Sequence, residues 1–277
     1  MTTASTAFPF RAAWRPIIIA MLSACASDVT RVERPHSENE VFEAGAGDTT
    51  VVFESGLGDD WTPWQQVADR VSTRARVFAY SRPGYGHSDP VDDPRDATHI
   101  VEELRTLLAA HGGEPPYVLV GHSFGGAYME LFAKAHPEEV DGLVLVDPRH
   151  RDFSAACAEA GFDGCTIPEA VAAPLPAVQL AEYEAFASTS DEIRAAGTFG
   201  AYPVRVLTAT SHGFAPEVEA LWVSMLGTLA DEAADGEQKV FAGGEHYLQL
   251  QHPEDVAEAV VEIVASRRTR AASATPP

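Results

Sequence analysis

The apolar residues of this chain follow two spacings, and the alternation between them predicts most of its architecture. Compact runs rich in β-branched and aromatic residues at 50–54, 76–80, 117–120, 142–147, 204–208 and 239–241 read as strands. Other segments keep their apolar residues on one helical face: 63–71, 127–135, 216–229, Ile100 with Val101, Leu104, Leu107 and Leu108, and finally Val256, Val260 and Val264. Gly112, Gly113, Pro115 and Pro116 stop the second of these helices in chain order. The run 142–147 is apolar almost throughout, as expected of a parallel strand covered on both faces. Segments 41–43 and 50–54 flank Gly45-Ala46-Gly47-Asp48 and are expected to pair as a hairpin at the start of the sheet. Strand, helix and strand then alternate without an internal repeat. The expected fold class is α/β: a mostly parallel, doubly wound sheet of about eight strands with helices on both faces. An excursion at about 148–202 carries Phe153, Phe162, Leu175, Tyr183, Phe186 and Phe199 among alanines and acids, and is expected to form a small helical cap.

Length allows one large domain, expected at 41–265, with a frayed tail at 266–277. Charge changes the picture more. With 19 Lys+Arg against 41 Asp+Glu, the net charge of −22 leaves no basic stripe for nucleic acid and disfavours polyanionic substrates. At the amino terminus, Arg11 and Arg15 precede the short apolar run 16–22 and then Ser23-Ala24-Cys25. This reads as a secretory signal over 1–24, too short for a permanent membrane span. Leu22-Ser23-Ala24-Cys25 resembles a bacterial lipobox, which implies lipidation of Cys25 and a polar tether over 25–40. The protein is then exported and anchored to a bacterial membrane, facing periplasm or exterior, with membrane contact only through that lipid. Cys157 and Cys165 enclose a short glycine-containing loop and suit either a disulfide in an oxidising compartment or a reduced buried pair. Their spacing and the lack of nearby histidines argue against zinc.

Candidate chemistry centres on Gly121-His122-Ser123-Phe124-Gly125, set between strand 117–120 and helix 127–135. A strand that turns sharply through G-x-S-x-G into a helix holds a serine hydroxyl clear of the sheet, in front of the first helical N–H groups. Serine is a weak nucleophile unless a base takes its proton, and the chain offers 10 histidines as candidates.

Together these motifs resemble the α/β-hydrolase fold family over about 41–264. Ser81-Arg82-Pro83-Gly84-Tyr85-Gly86-His87-Ser88 is similar to the family's R-x-G-x-G-x-S turn, and Glu54-Ser55-Gly56-Leu57-Gly58 stands where its first oxyanion segment lies, with Ser55 in place of a common histidine. The resemblance implies a Ser123, Asp147, His246 triad. His246 lies after the last short strand, and Asp147 ends strand 142–147. Glu217 is the alternative acid, because no carboxylate follows strand 204–208 before it. The backbone N–H groups of Leu57 and Phe124 are the implied oxyanion donors. His252 is expected to cap or pack, His122 to pack beside the nucleophile, and His212 to be a surface or loop residue. Trp61 and Trp64 suit either a pocket wall or the core.

The implied activity is serine hydrolysis of a small carboxylic ester or related acyl compound. A lactonase, amidase, carbon–carbon hydrolase or haloperoxidase would use the same triad. Dehalogenases and epoxide hydrolases of the family resemble the chain less, because their elbow nucleophile is aspartate. The alternative of another class is a tethered binding or signalling lipoprotein without turnover. No nucleotide fingerprint or metal-ligand cluster is visible, so no cofactor and no metal is expected. Oligomeric state is not legible.

Overall fold

Eight strands form a single sheet in the computed structural model, which describes residues 28–34, 37–163, 165–166 and 169–274. The signal-like segment with Cys25 lies outside the described residues. Strands β1 (Asp28–Arg34), β2 (Ser37–Ala44) and β3 (Thr50–Glu54) come first, then helix α1 (Gln65–Val71) and β4 (Arg76–Tyr80). Helix α2 (Ala97–Ala110), β5 (Tyr117–His122), α3 (Phe124–Ala135) and β6 (Val140–Val146) follow. The cap holds α4 (Phe153–Ala160), α5 (Glu169–Ala172), α6 (Ala177–Glu184) and α7 (Phe186–Ala195). The chain then returns to the sheet through β7 (Pro203–Ala209), α8 (Pro216–Asp231), β8 (Asp235–Phe241), α9 (Leu248–Gln251) and α10 (Pro253–Ala274).

Strand order is β1-β2-β4-β3-β5-β6-β7-β8, antiparallel at β1–β2 and β2–β4 and parallel from β4 onward. Side-chain alternation separates two cores. Val118 and Val120 of β5 pack with Val67 and Val71 of α1 and Val256, Val260 and Ile263 of α10. Tyr117 and Leu119 face the other way, toward Leu104 and Leu108 of α2, Phe132 of α3 and Leu226 of α8. Each such fully buried aliphatic side chain contributes roughly 1.5–3 kcal/mol relative to exposure.

Four sequence expectations change here. The hairpin between 41–43 and 50–54 does not form, because β4 inserts between β2 and β3; a local turn pattern carries no information about a strand arriving later in the chain. Much of the expected tether at 25–40 is sheet instead: β1 pairs with β2, Val29 opposite Phe42 and Val32 opposite Asn39. An edge strand needs a backbone partner, not an apolar face, so its polar sequence hides it. The same holds for β8, which extends back to Asp235 with most residues exposed. The tail expected from 266 continues as helix to Ala274, and Arg267 is bound to the Asp141 carboxylate and to Asp48 O (2.8 Å).

Within the cap, a disulfide between Cys157 and Cys165 closes the loop after α4. A buried ion cluster ties the cap to the core. Glu182 of α6, fully buried, accepts from Arg82 Nε (3.1 Å) and Nη2 (3.0 Å), from Tyr85 Oη (2.8 Å) and from Arg95 Nη2 (3.3 Å).

Candidate active site

The turn from β5 into α3 is tight enough to exclude side chains around the serine. A Cβ on Gly121 would lie 2.5 Å from Gly125 O, and one on Gly125 would lie 2.4 Å from Ser55 O. Only glycine permits that approach of strand, helix and neighbouring loop. Ser123 itself is held at φ 53, ψ −120, and Asp147, just past β6, at φ 43. Non-glycine residues at positive φ cost of order 1–3 kcal/mol each and persist where surrounding bonds impose them. Here Ser123 N–H donates to Val146 O (3.3 Å), Asp147 N–H to Leu207 O (2.7 Å) and Arg149 N–H to Ser123 O (2.8 Å). The ends of β5, β6 and β7 thus form one rigid rim.

At that rim the three residues singled out in the sequence meet. His246 Nε2 lies 3.0 Å from Ser123 Oγ, and His246 Nδ1 lies 2.7 Å from Asp147 Oδ2. A carboxylate can only accept, so Nδ1 carries the proton and Nε2 turns its lone pair to the hydroxyl. Glu217 sits exposed at the start of α8 and takes no part in the row. His252 is turned away, its ring 5.0 Å from that of Phe241. His122 is buried, bonded through Nε2 to His246 O (3.0 Å), and burial pushes its imidazole down to about 3. It braces the histidine loop as a neutral group.

Asp147 is more heavily bonded than a triad needs. Oδ1 accepts from Ala209 N–H (3.0 Å) and Trp222 Nε1 (2.9 Å), while Oδ2 accepts from His246 and from His212 Nε2 (2.6 Å). Burial alone would raise its pKa, yet the bonds from His212 and His246 outweigh this and hold it well below the usual carboxylate range. His212 lies in a loop, one of the two places expected for it, but it is not free at the surface: it links two acids, with Nδ1 on Glu219 Oε2 (2.8 Å). Burial pulls that imidazole down, but Asp147 and Glu219 overcome it and keep His212 protonated to higher pH than a free histidine. Trp222 and Glu219 left no trace in the local pattern. His212 did leave one, since it stands in the loop after β7 where an acid was sought.

The loop after β3 abuts the serine: a Cβ on Gly56 would lie 3.3 Å from Ser123 Cβ. Buried Arg82 donates through Nη1 to Ser55 O (2.6 Å) and Glu54 Oε1 (2.6 Å), and through Nη2 to Gly56 O (2.8 Å). In a trans peptide N–H and C=O point oppositely, so fixing Gly56 O behind the loop directs Leu57 N–H away from Arg82. Phe124 N–H, at the first position of α3, has no helical partner to occupy it.

A cavity of about 760 Å³ opens over the serine, lined by Phe124, Phe186, Phe214, Trp222, Tyr183 and Arg149 among others. Trp61 and Trp64 belong to the core and not to this wall. Asp147, His212 and His246 bring one ligand atom each within 4.8 Å of one another, a spacing a metal ion could bridge. Both imidazoles, however, already bond the same Oδ2, so hydrogen bonding accounts for the cluster.

The alpha/beta hydrolase fold family matches residues 49–162. YqjL of Bacillus subtilis is 33% identical over 111 residues, which is 40% of this chain and 44% of YqjL, so the chain spans under half the length of that relative. A serine hydrolase of carbazole degradation, CarC, superposes with TM-score 0.60 at 20% identity, covering 87% of this chain and 99% of CarC. Carboxylesterase CesB of Bacillus subtilis superposes equally well, TM-score 0.60 at 16% identity, over 87% of this chain and 92% of CesB. Matched segment, sheet order and elbow agree, and the chain is a protein of the α/β-hydrolase fold.

Proposed function

We propose that the protein is a serine hydrolase that cleaves carboxylic esters through an acyl-enzyme on Ser123. The observation that carries this reading is the continuous row from Ser123 Oγ through His246 to Asp147, with contacts of 3.0 and 2.7 Å. In this reading Ser123 Oγ attacks the ester carbonyl while His246 Nε2 takes its proton, and ionised Asp147 stabilises the resulting imidazolium. The N–H groups of Phe124 and Leu57 receive the developing oxyanion, each worth roughly 3 kcal/mol in the transition state. The tetrahedral adduct collapses, the C–O bond to the alcohol breaks, and His246 returns the proton to the departing oxygen. Water then repeats the cycle on the acyl-enzyme and releases the acid.

A fluorophosphonate probe tests this directly. The folded protein is expected to be labelled at Ser123, and Ser123→Ala to lose all labelling. A folded parent that takes no label rejects acyl transfer and favours a binding protein on this fold.

A further inference from the structure

Arg149 brings a cation into the cavity that Ser123 opens on, and among the described residues no carboxylate neutralises it. The other buried or half-buried arginines near the cap are matched to acids: Arg82 to Glu54 and Glu182, Arg95 to Glu103 and Glu182, Arg151 to Glu130 and Glu232. Among the described residues Arg149 has no carboxylate within ion-pair distance. Glu184 and Glu245 also line the cavity, but both are exposed and neither reaches it. In a chain with 41 acids against 19 bases, a shortage of partners does not explain this.

The guanidinium is nevertheless held in place. Nη2 donates to Ser154 Oγ (2.6 Å) and Cys165 O (3.3 Å), and Cζ lies 5.0 Å from the centroid of the Phe153 ring and 5.6 Å from that of Phe186. The backbone N–H is bonded to Ser123 O, so arginine and nucleophile share one rigid frame. Burial pushes the group down to about 10, which leaves it charged at neutral pH. Nε and Nη1 have no protein acceptor among the described residues. A half-buried cation with free donors beside a nucleophile is an arrangement that a substrate anion completes.

We propose that Arg149 is the subsite for a carboxylate carried by the substrate, so that the preferred ester is a half-ester of a dicarboxylic acid. The inference rests on the acyl-transfer reading and sharpens it. Ser123 forms the acyl bond at one end of the substrate and the alcohol leaves with the proton from His246, while the free carboxylate at the other end stays on Arg149. The net charge of −22 opposes more highly charged substrates, so a single negative group is the fit.

The test compares monoethyl glutarate with ethyl pentanoate, following acid release. The parent is expected to prefer the half-ester, and Arg149→Gln to lower the ratio of the two kcat/KM values by about 10- to 100-fold, the range of a hydrogen bond to a charged group. A ratio unchanged by the substitution overturns the proposal, as does a parent that prefers the uncharged ester. Should Arg149→Gln not fold, the parent itself decides. The ketone 5-oxohexanoate is expected to inhibit competitively at least about 10-fold more tightly than 2-hexanone, and equal inhibition overturns the subsite. Fluorophosphonate labelling separates the two failures. Labelling with an unchanged ratio rejects the carboxylate subsite alone; no labelling and no cleavage rejects acyl transfer and the subsite with it.

Discussion

Asp147 shows how much one side chain can carry at a single position. Its oxygens accept from Ala209, Trp222, His212 and His246. Asp147→Asn replaces two acceptor sites by donors and so turns at least one of these contacts into a clash of N–H groups. The expected result is a fall in kcat of about 10⁴-fold, from holding the imidazole in the wrong tautomer, together with some loss of thermal stability. Steady-state kinetics on purified variant checks it; activity within a few-fold of the parent would remove Asp147 from the role proposed here. Glu219 and His212 add a refinement. A protonated His212 on the same oxygen partly neutralises Asp147 and so tempers its pull on the imidazolium of His246. The bonds from His212 and Trp222 were not visible in the sequence around Asp147, because those residues lie 65 and 75 positions away.

Among elements, the loop after β4 joins core and cap through a buried arginine. Arg82 spends its donors on Glu54, Ser55 O, Gly56 O and Glu182, all sealed from water. This contact set gives the R-x-G-x-G-x-S turn a physical content: the arginine is a buried strut between the loop after β3 and α6. Replacing it by methionine fills the volume but leaves buried Glu54 without its cation and Glu182 with Arg95 alone. Arg82→Met is therefore expected to cost about 3–5 kcal/mol in urea unfolding; a loss below about 1 kcal/mol would show that the acids find other partners. The elbow and the loop it touches were legible as motifs because glycine is the only residue their close approaches tolerate. The strand order was not, since apolar rhythm reports which face is covered and not which strand lies beside it. Polar edge strands β1 and β8 escaped for a related reason, having only one flank and little apolar surface to betray them.

For the whole molecule, acid sensitivity follows from histidines sealed in a neutral state. His122 is pushed down to about 3, first by burial and then by the neighbouring charge of His246, with Asp147 opposing. The unfolded chain takes a proton on this imidazole near pH 6.5 and the folded chain does not, so its contribution to stability is present above 6.5. It is lost as pH falls from there toward 3, at about 1.4 kcal/mol per pH unit. Asp59, whose carboxylate oxygen lies 4.0 Å from His122 Nδ1, is raised by its own burial, so it takes up a proton more readily in the folded chain and opposes that trend. His122→Gln is expected to reduce the stability lost between pH 7 and pH 5 by about 2 kcal/mol. Urea titrations of both proteins at the two pH values measure this, and equal losses would contradict it. A second property of the whole is its surplus of acids, which includes exposed Glu184 and Glu245 on the cavity wall. On the hydrolytic reading every turnover creates a carboxylate that the ester lacked, so the departing acid always bears one more unit of negative charge than the molecule that entered. An electrostatic field that repels in proportion to charge therefore opposes the product more strongly than the ester, and an acidic shell favours release over product inhibition.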